Sequence, residues 1–182
     1  MNKNRSSDIK IYIILTYTGT ILSRIIKYYT GAEFSHASIA LDEELHEMYS
    51  FGRLSPYNPF IGGFVHEGVE FGTFKRFKNT KAAIYSVTLT NKQYKRLKQT
   101  IKKIRRKRYL YRFNLLGLFA AGFNIKIKRK NCFYCSEFVK YLIEQSKIEL
   151  EIPDLVRPND FKNIHGLNLK YQGILRNYKI LK

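Results

Sequence analysis

The sequence is poor in cysteine, in acidic residues and in long apolar runs, and each shortage removes a class of protein. Two cysteines, Cys132 and Cys135, are too few for a disulfide-built secreted scaffold, which replaces a small core with many bridges. Reduced thiols in a cytoplasmic protein are the expectation, with peripheral attachment to a membrane as its variant. No stretch approaches the roughly 20 apolar residues that span a bilayer; the most apolar late run, Leu115 to Phe123, falls well short. The early run over residues 11–16 is broken by Tyr17, Thr18, Gly19, Thr20 and Arg24 before it reaches signal-peptide length, with no clean cleavage site after it, and reads as a buried strand. Acidic residues number 14 against 33 Lys and Arg, a net charge of +19. That excess attracts nucleic acid, anionic lipid or acidic glycan without choosing among them, and a merely solvated basic surface is the plain alternative.

What is present is enough for a full core. The chain has 182 residues, 45% hydrophobic and 15% aromatic, which fits a single domain over residues 1–182 and excludes a disordered composition. No internal repeat and no linker interrupts it.

Periodicity divides the chain into elements. Ile9 to Thr16 reads as a strand; Thr20 then caps a helix with Ile21, Leu22, Ile25, Ile26 and Tyr29 on one face, ended by Gly31. Phe34 to Leu41 and Leu45 to Phe51 form a hairpin about the acidic trio Asp42, Glu43 and Glu44. From Gly52 to Gly72, Pro56, Asn58, Pro59, Gly62, Gly63 and Gly68 break every period, which predicts a long ordered loop or flap. Ala82 to Leu89 is a further strand. Thr90 and Gln93 have capping-box spacing for a helix with Tyr94, Leu97, Ile101 and Ile104 inward and an outer face of Lys and Arg. Asn114 to Phe123 is either a buried helix or a lip over a pocket. Asn131 is placed to cap a last long helix with Phe138, Val139, Leu142 and Ile143 as its buried stripe, and Leu167 to Leu175 is a final strand.

That last helix puts Cys135 in its first turn, where free backbone N–H groups and the positive dipole end favour a thiolate. A small buried hydrophobe is the plainer fate of such a cysteine. Its partner is expected to be His36, which shares a roomy strand face with Phe34, Ser38 and Ala40 and is placed to take the thiol proton. A structural histidine is the alternative. A third group normally holds the imidazole in one tautomer. If the turn is Glu43-Glu44, Ala40 pairs with Glu47 and His36 with Phe51, which brings Glu47 to the histidine face; a slip of one residue brings His46, Met48 and Ser50 instead. Glu47 is the candidate orienter, with Ser50, Tyr49 and His46 as substitutes, and an exposed hairpin glutamate is the alternative. The Cys135 backbone N–H is a candidate oxyanion donor.

Tyr134-Cys135-Ser136-Glu137-Phe138-Val139 resembles the nucleophile helix of NlpC-type papain-like hydrolases, and His36-Ala37-Ser38-Ile39-Ala40-Leu41 resembles their histidine strand. Here the histidine precedes the cysteine, an order that resembles the circularly permuted branch with the YiiX-like proteins and the lecithin:retinol acyltransferase-like enzymes. The resemblance covers most of the chain, from about Ile9 to Ile148. It implies an α+β fold, a small antiparallel sheet with packed helices in a permuted papain-like arrangement. It also implies catalytic roles for Cys135 and His36, attack of a thiolate on an amide or ester carbonyl, and an acyl-thioester that is hydrolysed or transferred. The family's third polar residue follows the histidine by about a dozen positions on the next strand. Glu47 is the nearest acidic match, slightly early, and Met48 stands near that position itself.

Three rivals remain. Cys132-Phe133-Tyr134-Cys135 also has thioredoxin-like spacing, but only one clear strand follows it. Zinc binding by the same pair would need two of His36, His46, His66 and His165, which have no paired spacing. The basic helix from Lys92 to Arg108 could track nucleic-acid phosphates with tyrosines for stacking, though a solvated face explains it as well. The preferred reading is a cysteine amidohydrolase or peptidase with Cys135, His36 and Glu47, no cofactor and no metal. Its substrate is a small peptide or acyl compound, and an anionic membrane surface is a further partner for the acyltransferase or esterase alternative. Nucleic acid is the less expected partner.

Overall fold

In the computed structural model of the chain, residues 9–54 and 62–178 are described. In chain order the elements are β1 (Ile9–Tyr17), α1 (Ile21–Thr30), β2 (His36–Ala40), β3 (Met48–Arg53), β4 (Gly62–Glu67), α2 (Gly72–Arg76), β5 (Lys81–Leu89), α3 (Asn91–Arg106), β6 (Arg112–Phe113), α4 (Leu115–Gly122), β7 (Cys132–Phe133), α5 (Cys135–Gln145) and β8 (Asn168–Ile174). Six strands form one sheet in the order β4-β3-β2-β1-β5-β8, every neighbouring pair antiparallel. The coarse expectation of an α+β protein built on an antiparallel sheet therefore holds. Among the described residues no helix is long and apolar enough to cross a membrane.

The alternation of side chains along each strand sorts the sheet into two faces. Ile11, Ile13, Leu15, Ala37, Ile39, Phe51 and Phe64 point to one, where Leu97, Ile101 and Ile104 of α3 and Phe138, Val139 and Leu142 of α5 close the main core over them. Tyr12, Ile14, Ala40, Met48 and Ile84 point to the other, covered by Leu45, Phe74 of α2 and Leu175.

Capping chemistry read from the sequence is formed where it was expected at α1 and α3. The Thr20 hydroxyl accepts from the Ser23 N–H, and Gly31 takes the left-handed conformation that ends α1. The Thr90 hydroxyl accepts from the Gln93 backbone N–H while the Gln93 side-chain Oε1 accepts from the Thr90 N–H, a complete capping box. At α5 the expectation fails: Asn131 sits in a turn with φ of 56°, the cap is Tyr134, and the helix begins at Cys135 itself.

Two corrections concern the hairpin and the segment after it. The turn between β2 and β3 is longer than two residues, because the Asp42 carboxylate accepts from the N–H groups of His46 and Glu47 and Leu45 adopts a left-handed conformation to bury its side chain. Ala40 consequently pairs with Met48 and Ile39 with Tyr49, one residue away from the expected register. The segment expected to be a loop from Gly52 to Gly72 contains β4, which pairs with β3 from Met48–Glu67 to Arg53–Gly62, and the start of α2. Residues 55–61 of that segment, with Pro56, Asn58 and Pro59, lie outside the described residues, as does the Leu22 side chain on α1. Gly62 is demanded by packing, since a Cβ there would lie 2.6 Å from the Phe113 Cβ.

Candidate active site

Cys135 occupies the first position of α5, and aromatic packing fixes where that end of the helix lies. Phe138, one turn on, has its ring centroid 4.8 Å from Phe51, 5.9 Å from Phe64 and 6.3 Å from Phe133. The buried Ser136 hydroxyl donates to the Val156 carbonyl at 2.9 Å, tying the first turn to the chain that follows the helix. The Glu137 carboxylate accepts from the Tyr134 N–H at 3.4 Å. As the opening residue of α5, Cys135 lies where backbone N–H groups have no carbonyl one turn back to bond.

His36 is the first residue of β2 and so stands at the rim of the sheet. The regular ladder between β2 and β3 covers only two pairs, which leaves Ser38 and His36 without a ladder partner on that side. Glu67, last residue of β4, fills the opening. Its pairing with Met48, which in turn faces Ala40, puts it on the same face as His36 and Ser38. One carboxylate oxygen is 2.9 Å from His36 Nε2 and the other accepts from the Ser38 hydroxyl at 2.5 Å. The His36 side chain is 21% exposed and that of Glu67 11%, so the pair is largely withdrawn from solvent.

Electrostatics follow from this arrangement. Burial opposes a charge on His36, but the Glu67 carboxylate and the hydrogen bond and charge of Cys135 outweigh it and hold the imidazole pKa well above its ordinary value. Burial likewise pushes Glu67 upward, yet the His36 charge and the hydroxyl of Ser38 win and hold it below the usual carboxylate range. With Nε2 engaged by Glu67, Nδ1 is the ring nitrogen left to exchange a proton with the sulfur.

The three side chains share a cleft of about 230 Å³. Thr20, the cap of α1, Ile26 of α1, Phe74 of α2, Phe113 of β6 and Leu118 of α4 contribute to its walls. Cys135 is itself only 2% exposed.

The structure thus brings together Cys135 and His36 but not Glu47. Glu47 lies across from Leu41, whose N–H bonds its carbonyl, on the face opposite His36, and its carboxylate accepts from the Tyr49 hydroxyl at 3.2 Å. Tyr49 follows it to that face, and His46 lies in the exposed turn. Of the substitutes, Ser50 alone is buried near the histidine, on the Met48 face of β3. Glu67 escapes sequence reasoning because its strand lies in a segment that Gly and Pro mark as loop; the one signal for it is the run Phe64-Val65-His66-Glu67, which has the aromatic and β-branched content of a strand between glycines. Cys132 is a free, buried thiol in β7, outside the helix. Among the described residues no group of three His, Cys, Asp or Glu side chains is arranged to hold a metal ion.

No protein-family model matches the sequence, and no curated protein matches it.

Proposed function

We propose that this protein is a cysteine hydrolase of the permuted papain-like kind, acting on an amide or isopeptide bond with Cys135 as nucleophile, His36 as general base and acid, and Glu67 as the group that orients the imidazole. The observation that carries the reading is the convergence of a helix-initial cysteine and a carboxylate-bound histidine at the base of one cleft. A raised imidazole pKa beside a thiol favours the thiolate–imidazolium pair, which is the reactive form of a cysteine nucleophile.

In this mechanism the sulfur attacks the carbonyl carbon of the substrate. The C–N bond breaks, the proton on His36 Nδ1 passes to the leaving amine, and an acyl-thioester remains on Cys135. Water then loses a proton to the same nitrogen and attacks the thioester carbon, releasing a carboxylic acid and restoring the thiol. The first-turn N–H of Cys135 is suited to stabilise the oxyanion in both halves. Glu67 stabilises the imidazolium and fixes the ring, and Ser38 holds the second carboxylate oxygen.

A second reading, an acyl ester as donor, is favoured by the apolar side of the cleft, where Ile26, Phe74, Phe113 and Leu118 lie. Reaction with paired amide and ester substrates of the same acyl group, followed by mass spectrometry of the acylated protein, tests both. Acylation at Cys135 that is absent in Cys135→Ser and His36→Ala supports a thiol acyl-transfer enzyme, and the faster of the two substrates names the bond. A protein acylated by neither, or modified at other residues to the same extent, contradicts the proposal.

A further inference from the structure

The helices α1 and α4 carry apolar side chains that the core does not cover. Their inner sides meet, with Ile26 packed on the cluster of Leu118, Ala121 and Tyr134. Their outer sides remain bare: Ile21 is 80% exposed and Tyr29 61% on α1, Leu116 is 61% and Phe123 65% exposed at α4. The two patches are one surface, since the Tyr29 and Phe123 rings lie 6.1 Å apart and a Cβ on Gly122 would sit 3.4 Å from the Thr30 methyl. The irregular stretch after α4 extends it, with exposed Ile125 and Ile127 alternating with Lys126 and Lys128.

Charge around this surface is predominantly positive. Arg24 and Lys27 lie on α1, Lys126, Lys128, Arg129 and Lys130 follow α4, and the sequence has no acidic residue from Ile9 to Ala32 or from Phe71 to Ser136. Among the described residues, the carboxylate in ion-pair contact with this rim is that of Asp154, 2.9 Å from Lys126. An apolar centre with a predominantly cationic border is complementary to a bilayer with anionic headgroups. A second copy of the same surface would bring like charges together, so self-association is disfavoured.

We propose that the α1–α4 face is a peripheral docking surface for an anionic membrane, its aromatic and aliphatic side chains entering the interfacial layer while the lysines and arginines meet the headgroups. Thr20, the cap of α1, Ser23 and Ile26 of α1 and Leu118 of α4 also wall the Cys135 cleft, so docking sets that cleft at the bilayer surface. The proposal does not rest on the hydrolase reading, and Cys135→Ser is expected to bind vesicles as the unmodified protein does.

The sequence contains no tryptophan, so Phe123→Trp places a single, selectively excitable indole in the patch. With vesicles of phosphatidylcholine and phosphatidylglycerol its emission is expected to shift to the blue and to be quenched by brominated acyl chains, while phosphatidylcholine alone leaves it unchanged. Tyr109→Trp, exposed beyond the end of α3, keeps its aqueous emission in both. In co-sedimentation, Phe123→Ser combined with Ile125→Ser should weaken binding by about tenfold or more, whereas Lys102→Glu with Arg106→Glu on α3 should change it by about threefold or less. Unchanged thermal melts and Cys135 alkylation rates show that the variants fold. The proposal is overturned if the Phe123→Trp emission does not move with anionic vesicles, if the double serine variant sediments like the unmodified protein, or if the α3 variant alone abolishes binding. A concentration-dependent dimer dissolved by the serine pair, with no vesicle response, also overturns it in favour of a surface between copies.

Discussion

The two faces of the sheet solve opposite problems with the same strands. On the α3–α5 face, Ile13, Leu15, Ala37, Ile39 and Phe51 are fully buried against helices with matching stripes, and position there is set by shape. On the other face the apolar set of Tyr12, Ile14, Ala40 and Met48 gives way toward one end to Ser38, Ser50, His36 and Glu67, and position is set by charge and hydrogen bonds. A buried charge is tolerated where each member has a partner, and His36, Glu67 and Ser38 supply partners to one another. The apolar face carries the helix and brings the sulfur to the rim; the polar end carries His36 and the carboxylate that holds it. Stability should therefore depend chiefly on the first face, and reactivity on the second.

The largest effect expected from breaking that division is at the nucleophile. Cys135→Ser should lower acylation by more than about a thousandfold with unfolding free energy changed by less than about 1 kcal/mol, as read by mass spectrometry and urea unfolding. Phe138→Ala tests the apolar face: it should cost about 3–5 kcal/mol of stability, and because Phe138 sets where the first turn of α5 lies, it should also slow alkylation of Cys135. Glu67→Gln acts on the polar end. It should reduce Cys135 alkylation near neutral pH by about tenfold, through a less favoured imidazolium.

The same variant has a signed pH dependence. Glu67, depressed in the folded state, contributes stability that is present above its unfolded pKa and is lost as pH falls through the folded value. His36, raised in the folded state, contributes stability that is fully present below its unfolded pKa and is lost as pH rises through the folded value. The stability difference between the unmodified protein and Glu67→Gln should be greatest near neutrality and shrink toward both extremes, which chemical unfolding across pH will measure. The smallest effect belongs to Glu47→Gln, expected to change alkylation by less than about twofold, since its carboxylate meets Tyr49 on the face away from His36.

Much of this was legible in residues whose local rule is strong. Thr20, Thr90 with Gln93, and the stripe Phe138, Val139, Leu142 and Ile143 announced their helices, and those four side chains are buried as the period requires. The period of α1 is as clear as that of α3, yet Leu97, Ile101 and Ile104 are covered while Ile21 and Tyr29 are not; a helical repeat names a face without saying what lies against it. Cys135 and His36 could be placed in one site because each sits on an element with a clear pattern. The third residue could not, for two physical reasons. A single aspartate folding back on two backbone N–H groups changed the turn and moved every side chain of β3 to the other face. The carboxylate that took the place beside His36 came instead from a strand flanked by Gly and Pro, two strands away in the sheet, and no local pattern encodes that distance.

The most direct test of the account is the pH profile of Cys135 alkylation by iodoacetamide, in the unmodified protein and in His36→Ala. Cys132 would be replaced by serine in both, so that one thiol reports. Alkylation near neutral pH is expected to be markedly faster in the first protein than in the second, with the two pH profiles clearly separated. Superimposable profiles would show that the imidazole does not ionise the sulfur, and would contradict the shared site at its foundation.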